Sequence, residues 1–216
     1  MTHTRIAAIV PAYNESDHIK HVLQVLSVTN IIDEIIVIDD ASSDDTSLMA
    51  SQFANVRVLR NSVNKGKAQS MQRGVDETDA EILFFCDADL QGFSPDIATA
   101  IITPVANGSH SMFIGIRNNV MQKIVPLFAM NSGERALTRE LWDKLPDHFK
   151  YRYRIEAGLN YIAKKDPKGF GLKKFDYYQT LKEKKYGFLK GTALRWWMNI
   201  DVGYAYILTM LPMRRK

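Results

Sequence analysis

Five short runs of the chain, IAAIV at 6–10, IIVI at 35–38, VRVL at 56–59, ILFFC at 82–86 and MFIGI at 112–116, are rich in apolar residues, and stretches with helical spacing lie between them. In the first of those stretches Ile19, Val22, Leu23 and Leu26 fall at i, i+3, i+4 and i+7, and similar patterns follow near 44–53, 66–76 and 95–106. Strands this uniformly apolar need cover on both faces. The order βαβαβαβ therefore predicts an α/β fold with a mostly parallel sheet flanked by helices. Sheets of this kind bind ligands beyond the carboxyl ends of their strands, near a topological switch point.

Four of the predicted strand ends carry polar clusters: Pro11-Ala12-Tyr13-Asn14-Glu15, Asp39-Asp40 running into ASSDDT, Asn64-Lys65-Gly66-Lys67, and Asp87-Ala88-Asp89-Leu90-Gln91. Asp87 and Asp89 project to one side if the strand continues. Two or three oxygen ligands, Gln91 supplying the third, suit Mg²⁺ or Mn²⁺ shared with a diphosphate. An isolated Asp-x-Asp also serves simply to cap a helix or solvate a turn. NKGKAQSMQRG puts Gly66 and two lysines at a helix start, where free N–H groups favour a phosphate, or else forms a lysine-rich exposed turn. It lacks the Walker A spacing.

The chain has 216 residues, 46% hydrophobic and 24% charged, enough for one domain with a full core. Cys86 is the single cysteine, so there is no disulfide framework or zinc-type cysteine cluster, and a cytosolic setting is expected. No signal peptide or spanning helix is read at the start, where the apolar run ends at Pro11. Net charge is +4, unevenly placed: residues 1–149 hold 12 Lys or Arg against 19 Asp or Glu, and residues 150–216 hold 16 against 5. The last third should attract anions: phosphorylated ligands, anionic lipid headgroups or nucleic acid.

Together IVPAYNE, IIVIDDASSDDT, NKGKAQSMQRG and DADLQGFSPD, in this order, resemble the family 2 inverting glycosyltransferases of the GT-A (Rossmann-like) fold over roughly residues 5–117. DADLQ followed by Pro95, with GIR at 115–117, is most similar to the polyprenyl-phosphate glycosyltransferases, including dolichyl-phosphate mannose synthases. The resemblance implies a hexose transferred from a nucleoside-diphosphate sugar to a polyprenyl phosphate, with Mg²⁺ or Mn²⁺. It implies that Pro11, Ala12, Tyr13 and Glu15 border the nucleotide base, that Asp40 hydrogen-bonds it, and that Lys67 and Asp87 also bind the donor. Asp87, Asp89 and Gln91 become the metal and sugar-nucleotide positions, and Arg117 lies near the transferred sugar and acceptor phosphate. Asp89, Arg117 and Glu156 are the candidate catalytic residues.

Beyond residue 117 the rhythm changes. ERALTRELWDKL and RIEAGLNYIAKK read as helices, followed by a Lys- and Tyr-rich stretch. AMNSGERAL at 129–137 resembles the family's Ser-Gly-aromatic-Arg segment, but Glu134 stands at the aromatic position and Ala129 where an Asp is common. Arg135 and Arg139 are candidates, with Arg117, for acceptor phosphate. Glu156 is a candidate base for a hydroxyl acceptor, whereas a phosphate acceptor mainly needs cationic positioning. KEKKYGFLKGTALRWWMNIDVGYAYILTMLPMRRK pairs lysines with Trp196 and Trp197, and its apolar run at 202–213 is too short to span a bilayer. It suits the headgroup interface, or packs on the domain as a C-terminal helix. The chain thus reads as a nucleotide-sugar part at 1–117, an acceptor-side part of the same domain at 118–181 and a basic amphipathic extension at 182–216. A cytoplasmic protein, peripheral at the inner membrane face, is expected. The alternatives are a family 2 transferase acting on a sugar or polysaccharide hydroxyl, and a basic nucleic-acid-binding module. The module leaves the four strand-end clusters unexplained, and no nucleic acid partner is expected.

Overall fold

Each apolar run is a strand. The structure, a computed structural model, describes residues 3–117, 132–151, 154–179 and 200–209. In chain order its elements are β1 (Ile6–Ala12), α1 (Ile19–Ser27), β2 (Glu34–Asp39), α2 (Thr46–Ala50), β3 (Val56–Arg60), α3 (Lys67–Asp76), β4 (Ile82–Phe85), β5 (Leu90–Gln91), α4 (Pro95–Ala106) and β6 (Met112–Arg117). There follow β7 (Arg135–Thr138), α5 (Arg139–Asp143), a 3₁₀ turn (Asp147–Phe149), α6 (Ile155–Lys165), β8 (Phe170–Phe175) and β9 (Tyr178–Gln179).

Among the described residues the main sheet has the order β3-β2-β1-β4-β7-β6-β8. β1 runs parallel to β2 and β4, β2 to β3, and β6 to β8, while β7 is antiparallel to both its neighbours. The chain lays down β1, β2 and β3 outward, then returns to place β4 on the other side of β1. That reversal is the switch point, and it opens a crevice beyond the carboxyl ends of β1 and β4.

Helices cover both faces of the sheet, as the apolar runs demand. On one face Val10, Val37 and Phe84 pack with Ile19, Leu23 and Leu26 of α1 and Ile101 and Ile102 of α4. On the other, Ile9, Leu83, Phe85 and Ile114 pack with Met71 of α3, Trp142 of α5 and Leu159 of α6. The Trp142 ring lies 4.9 Å from that of Phe85. Each such side chain stabilises the fold by roughly 1.5–3 kcal/mol on burial. The start of α4 is fixed locally: the Ser94 hydroxyl accepts a bond from Ile97 N at 3.3 Å, and Pro95 opens the first turn.

Two expectations change. ERALTRELWDKL is not one helix: Arg135–Thr138 forms β7 inside the sheet, and only Arg139–Asp143 is helical. Hydrogen-bonded partners on both sides, with Ala136 opposite Phe84 and Phe113, override its helical composition. The Lys- and Tyr-rich stretch contains β8, an edge strand whose exposed lysines Lys173 and Lys174 protect an open edge, and β9, which pairs with β5.

The predicted extension is described only at 200–209, which is helical. Val202 and Ala205 are buried there, and Ile200, Tyr204 and Ile207 are exposed. Arg154 ties this helix to the domain, with Nε 2.8 Å from Asp201 Oδ1 and its guanidinium between the rings of Tyr151 and Tyr204. Ala129, Trp196 and Trp197 lie outside the described residues. Among the described residues no helix is long and apolar enough to cross a membrane.

Candidate functional site

The loops after β1 and β2 are stitched into one shelf. Asn14, at φ 54°, donates its N–H to Ser42 Oγ at 3.0 Å and accepts from Ser43 N at 2.8 Å. Glu15 N donates to Thr46 Oγ1 at 2.8 Å. Asp44 accepts from Ser16 N at 3.0 Å and from Thr46 Oγ1 at 2.5 Å. Partial burial would raise its carboxyl, but these bonds outweigh it and hold Asp44 below its ordinary range. Buried Asp39 accepts from Ser42 N at 2.8 Å and from the Ser47 hydroxyl. Pro11 and Ala12 end β1 beneath the shelf, and Tyr13 stands at its rim, 41% exposed. The Glu15 carboxylate lies 3.2 Å from His18 Nδ1.

Asp40 ties the end of β2 to the loop before α3. Its carboxylate accepts from Asn61 Nδ2 at 2.6 Å, Lys65 N at 2.9 Å and Gly66 N at 2.7 Å, and it is almost fully buried. It clamps the loop that delivers α3. Gly66 takes φ 86° at this bend, a conformation that a side chain would strain.

The clamp sets Lys67 at the first position of α3, pointing across the carboxyl end of β4. Its Nζ lies 2.8 Å from Asp87 Oδ1 and 2.9 Å from Glu156 Oε1, so one ammonium bridges two carboxylates from distant parts of the chain. Burial would lower the Lys67 ammonium, but Asp87 and Glu156 outweigh it and hold it well above its ordinary range. The backbone of residue 133 lies against the same carboxylate: a Cβ there would come within 2.5 Å of Asp87 Oδ2 and push it aside.

Gln179 joins the other side. The β5–β9 pair sets it opposite Leu90. Its Nε2 donates to Asp89 Oδ1 at 2.7 Å and reaches Asp87 Oδ2 at 3.3 Å, while its Oε1 accepts from Arg117 Nη1. One nitrogen touching both carboxylates shows that the Asp-x-Asp oxygens converge. Among the described residues no third His, Cys, Asp or Glu completes an all-protein cage. Two convergent carboxylates fit Mg²⁺ or Mn²⁺ that takes its remaining ligands from water and a diphosphate. Gln91, partly exposed in β5, pairs through its backbone with Tyr178.

Behind Arg117 lies a buried carboxyl. Glu134 Oε2 is 4.0 Å from Arg117 Nε, accepts from Ser132 Oγ at 2.6 Å and lies 2.8 Å from Tyr177 Oη, which is also 2.9 Å from Gly115 O. Burial raises Glu134 above the usual carboxylate range, with Arg117 opposing. Burial and Glu134 likewise raise the Tyr177 phenol. Burial together with Glu134, Asp87 and Asp89 raises the Cys86 thiol.

Two predicted phosphate ligands are structural. Arg135 is fully buried, donating to Ser132 O at 2.5 Å and Asn160 Oδ1 at 3.1 Å, so its guanidinium braces α6 against β7. Because β7 runs antiparallel, Arg139 emerges at the opposite end of the sheet. There it caps the end of α3, donating to Ala80 O and Thr78 O at 2.8 Å each and to Val75 O at 3.4 Å. The site therefore brings together Lys67, Asp87, Asp89, Arg117 and Glu156 of the predicted set, and adds Gln179, Ser132, Glu134 and Tyr177. Of these four, Ser132 and Glu134 fall in the Ser-Gly-aromatic-Arg segment, and Gln179 and Tyr177 carry no sequence signal.

The model of the family described as "Glycosyl transferase family 2" matches residues 7–165. A dolichol-phosphate mannosyltransferase of Pyrococcus furiosus is 26% identical over 72% of this chain and 48% of its own length. A glucosyl-3-phosphoglycerate synthase of Mycobacterium tuberculosis is 31% identical over 71% of this chain and 59% of its own. The chain thus spans about half to three fifths of these curated relatives. A crystal structure of the Mycobacterium tuberculosis synthase with Mn²⁺, uridine diphosphate and phosphoglyceric acid covers 95% of this chain and 78% of its own at TM-score 0.80 and 22% identity, which establishes the GT-A fold. With the family model spanning β1 through α6, the chain belongs to glycosyl transferase family 2.

Proposed function

We propose that the protein transfers a hexose from a nucleoside-diphosphate sugar to a phosphate-bearing acceptor. The observation that carries this reading is the continuous polar cluster Glu156–Lys67–Asp87–Gln179–Arg117, with Asp89 also on Gln179, at the carboxyl end of β4. It puts two convergent carboxylates, two cations and a further carboxylate where an α/β sheet binds ligands. Pro11, Ala12, Glu15 and the exposed Tyr13 ring would border the base. Asp87 and Asp89 would hold Mg²⁺ or Mn²⁺, in keeping with relatives crystallised with Mn²⁺ or Mg²⁺ and uridine diphosphate. When bound, the metal would neutralise charge on the departing diphosphate.

The chain's own residues would do the rest. Gln179 orients both carboxylates and Arg117 through one amide. Arg117, partly exposed, would attract the acceptor phosphate and place its oxygen for attack at the anomeric carbon, opposite the leaving group. The C1–O bond to the donor diphosphate would break as the bond to the acceptor oxygen forms, inverting the anomeric centre.

The finer reading is a polyprenyl phosphate at the cytosolic membrane face. It is supported by the dolichol-phosphate relative, the basic last third, and exposed Ile200, Tyr204 and Ile207 beside Arg154. The second reading, a soluble acceptor attacked through its hydroxyl, is favoured by Glu156, whose carboxylate sits at the site beside Lys67, and by the phosphoglycerate relative. Glu156→Gln separates them. A loss of kcat of about a hundredfold or more indicates a general base and a hydroxyl acceptor, whereas a change within about threefold indicates a phosphate nucleophile. Failure of the wild-type protein to consume any nucleotide sugar would overturn the function itself.

A further inference from the structure

The Lys67 ammonium is held by two carboxylates, 2.8 Å from Asp87 Oδ1 and 2.9 Å from Glu156 Oε1, and the side chain is only 22% exposed. Lys67 thus takes one oxygen of the Asp87 carboxylate, Oδ1, while the other, Oδ2, converges with Asp89 Oδ1 on Gln179 Nε2. Resting on the metal reading above, we infer that Lys67 is a built-in competitor of the divalent cation: its ammonium, bridging Asp87 and Glu156, opposes a metal on the same Asp87 carboxylate.

The chemistry follows from charge. Without a cation, Asp87 and Glu156 would face each other across the position of Nζ and destabilise the folded site by like-charge repulsion. Lys67 removes that repulsion. The same ammonium opposes an incoming divalent charge, so metal affinity is lower than two convergent carboxylates alone would give. A metal on Asp87 weakens one of the two ion pairs of Lys67. Glu156 keeps the ammonium at the edge of the site, leaving it an N–H for a donor phosphate, the partner its sequence context suggests. One residue thereby links the donor-side metal position to the acceptor-side carboxylate. Gly66, clamped by Asp40, fixes the origin of the Lys67 side chain.

The test is calorimetric titration of Mn²⁺, without nucleotide, into wild type, Lys67→Met and Lys67→Gln, with thermal melting of each in chelator and in Mn²⁺. The glutamine variant retains an amide that can bridge the carboxylates, which guards against a methionine variant that misfolds. Removing the ammonium should tighten Mn²⁺ binding about tenfold, lower the melting temperature in chelator, and enlarge the rise that Mn²⁺ produces. Equal or weaker Mn²⁺ binding by the folded variants, with the wild type binding, would overturn the inference and leave the metal reading standing. Absence of Mn²⁺ binding in all three, with UDP present as well as without it, would overturn both.

Discussion

Arg139→Ala separates a phosphate ligand from a helix cap. In the structure Arg139 donates to Ala80 O and Thr78 O at 2.8 Å each and more weakly to Val75 O, at the end of α3 remote from Asp87. Two short charge-assisted bonds at about 1 kcal/mol net each, plus about 0.5 kcal/mol from the cation at the negative end of the helix dipole, give a loss of roughly 2–3 kcal/mol. Arg139 is only partly buried, so water replaces some of what is lost and the upper figure is a ceiling. For a chain of this size the loss corresponds to a fall in Tm of about 5–10 °C. The assays are thermal melting followed by tryptophan fluorescence, and kcat/KM at a temperature where both proteins are folded. The variant should melt earlier and, per folded molecule, turn over within about twofold of wild type. Arg139→Lys, a single point charge, should recover about half the stability. An unchanged Tm with kcat/KM reduced tenfold or more would refute the cap and restore the phosphate role.

Asp89→Ala should abolish transfer while the protein remains folded; turnover at the wild-type rate would remove Asp89 from the metal site. Gln179→Leu breaks the bonds to Asp89 and Arg117 at once, and should weaken Mn²⁺ binding and kcat/KM by about 10–100-fold, as loss of a group that orients metal ligands does; titration and kinetics check both. For Asp44 the folded carboxyl titrates below its unfolded value of 3.8, so its stabilisation is present above that value and is lost as pH falls through the folded pKa. Asp44→Asn should therefore cost about 1–2 kcal/mol at neutral pH, in denaturant unfolding, and almost nothing at the acid limit; a cost independent of pH would contradict the assignment.

The half of the molecule built from βα units was legible because each unit carries its own signal. Apolar runs mark buried strands, and Ile19, Val22, Leu23 and Leu26 mark the covered face of α1. Asp87 and Asp89 were legible for the same reason: they stand one residue apart at a strand end. β7 was not, because Arg135–Thr138 has no alternation of its own and becomes a strand only through partners on both sides. That single antiparallel strand also decides the fate of two arginines. It buries Arg135 and carries Arg139 to the far end of the sheet, which no local pattern could reveal. The clamp made by Asp40 was not legible, because its partners Asn61, Lys65 and Gly66 lie more than twenty residues away. Gln179 was invisible for another reason: it belongs to no motif and reaches the site through a two-residue pairing with β5.

The most direct test incubates the protein and Mn²⁺ with labelled UDP-glucose, UDP-galactose, UDP-N-acetylglucosamine or GDP-mannose, each with a short polyprenyl phosphate, with 3-phosphoglycerate or without acceptor. Label passing from one of these donors to a phosphate-bearing acceptor, and lost in Asp89→Ala, is the predicted result. No consumption of any donor by folded, Mn²⁺-loaded protein would contradict the central claim.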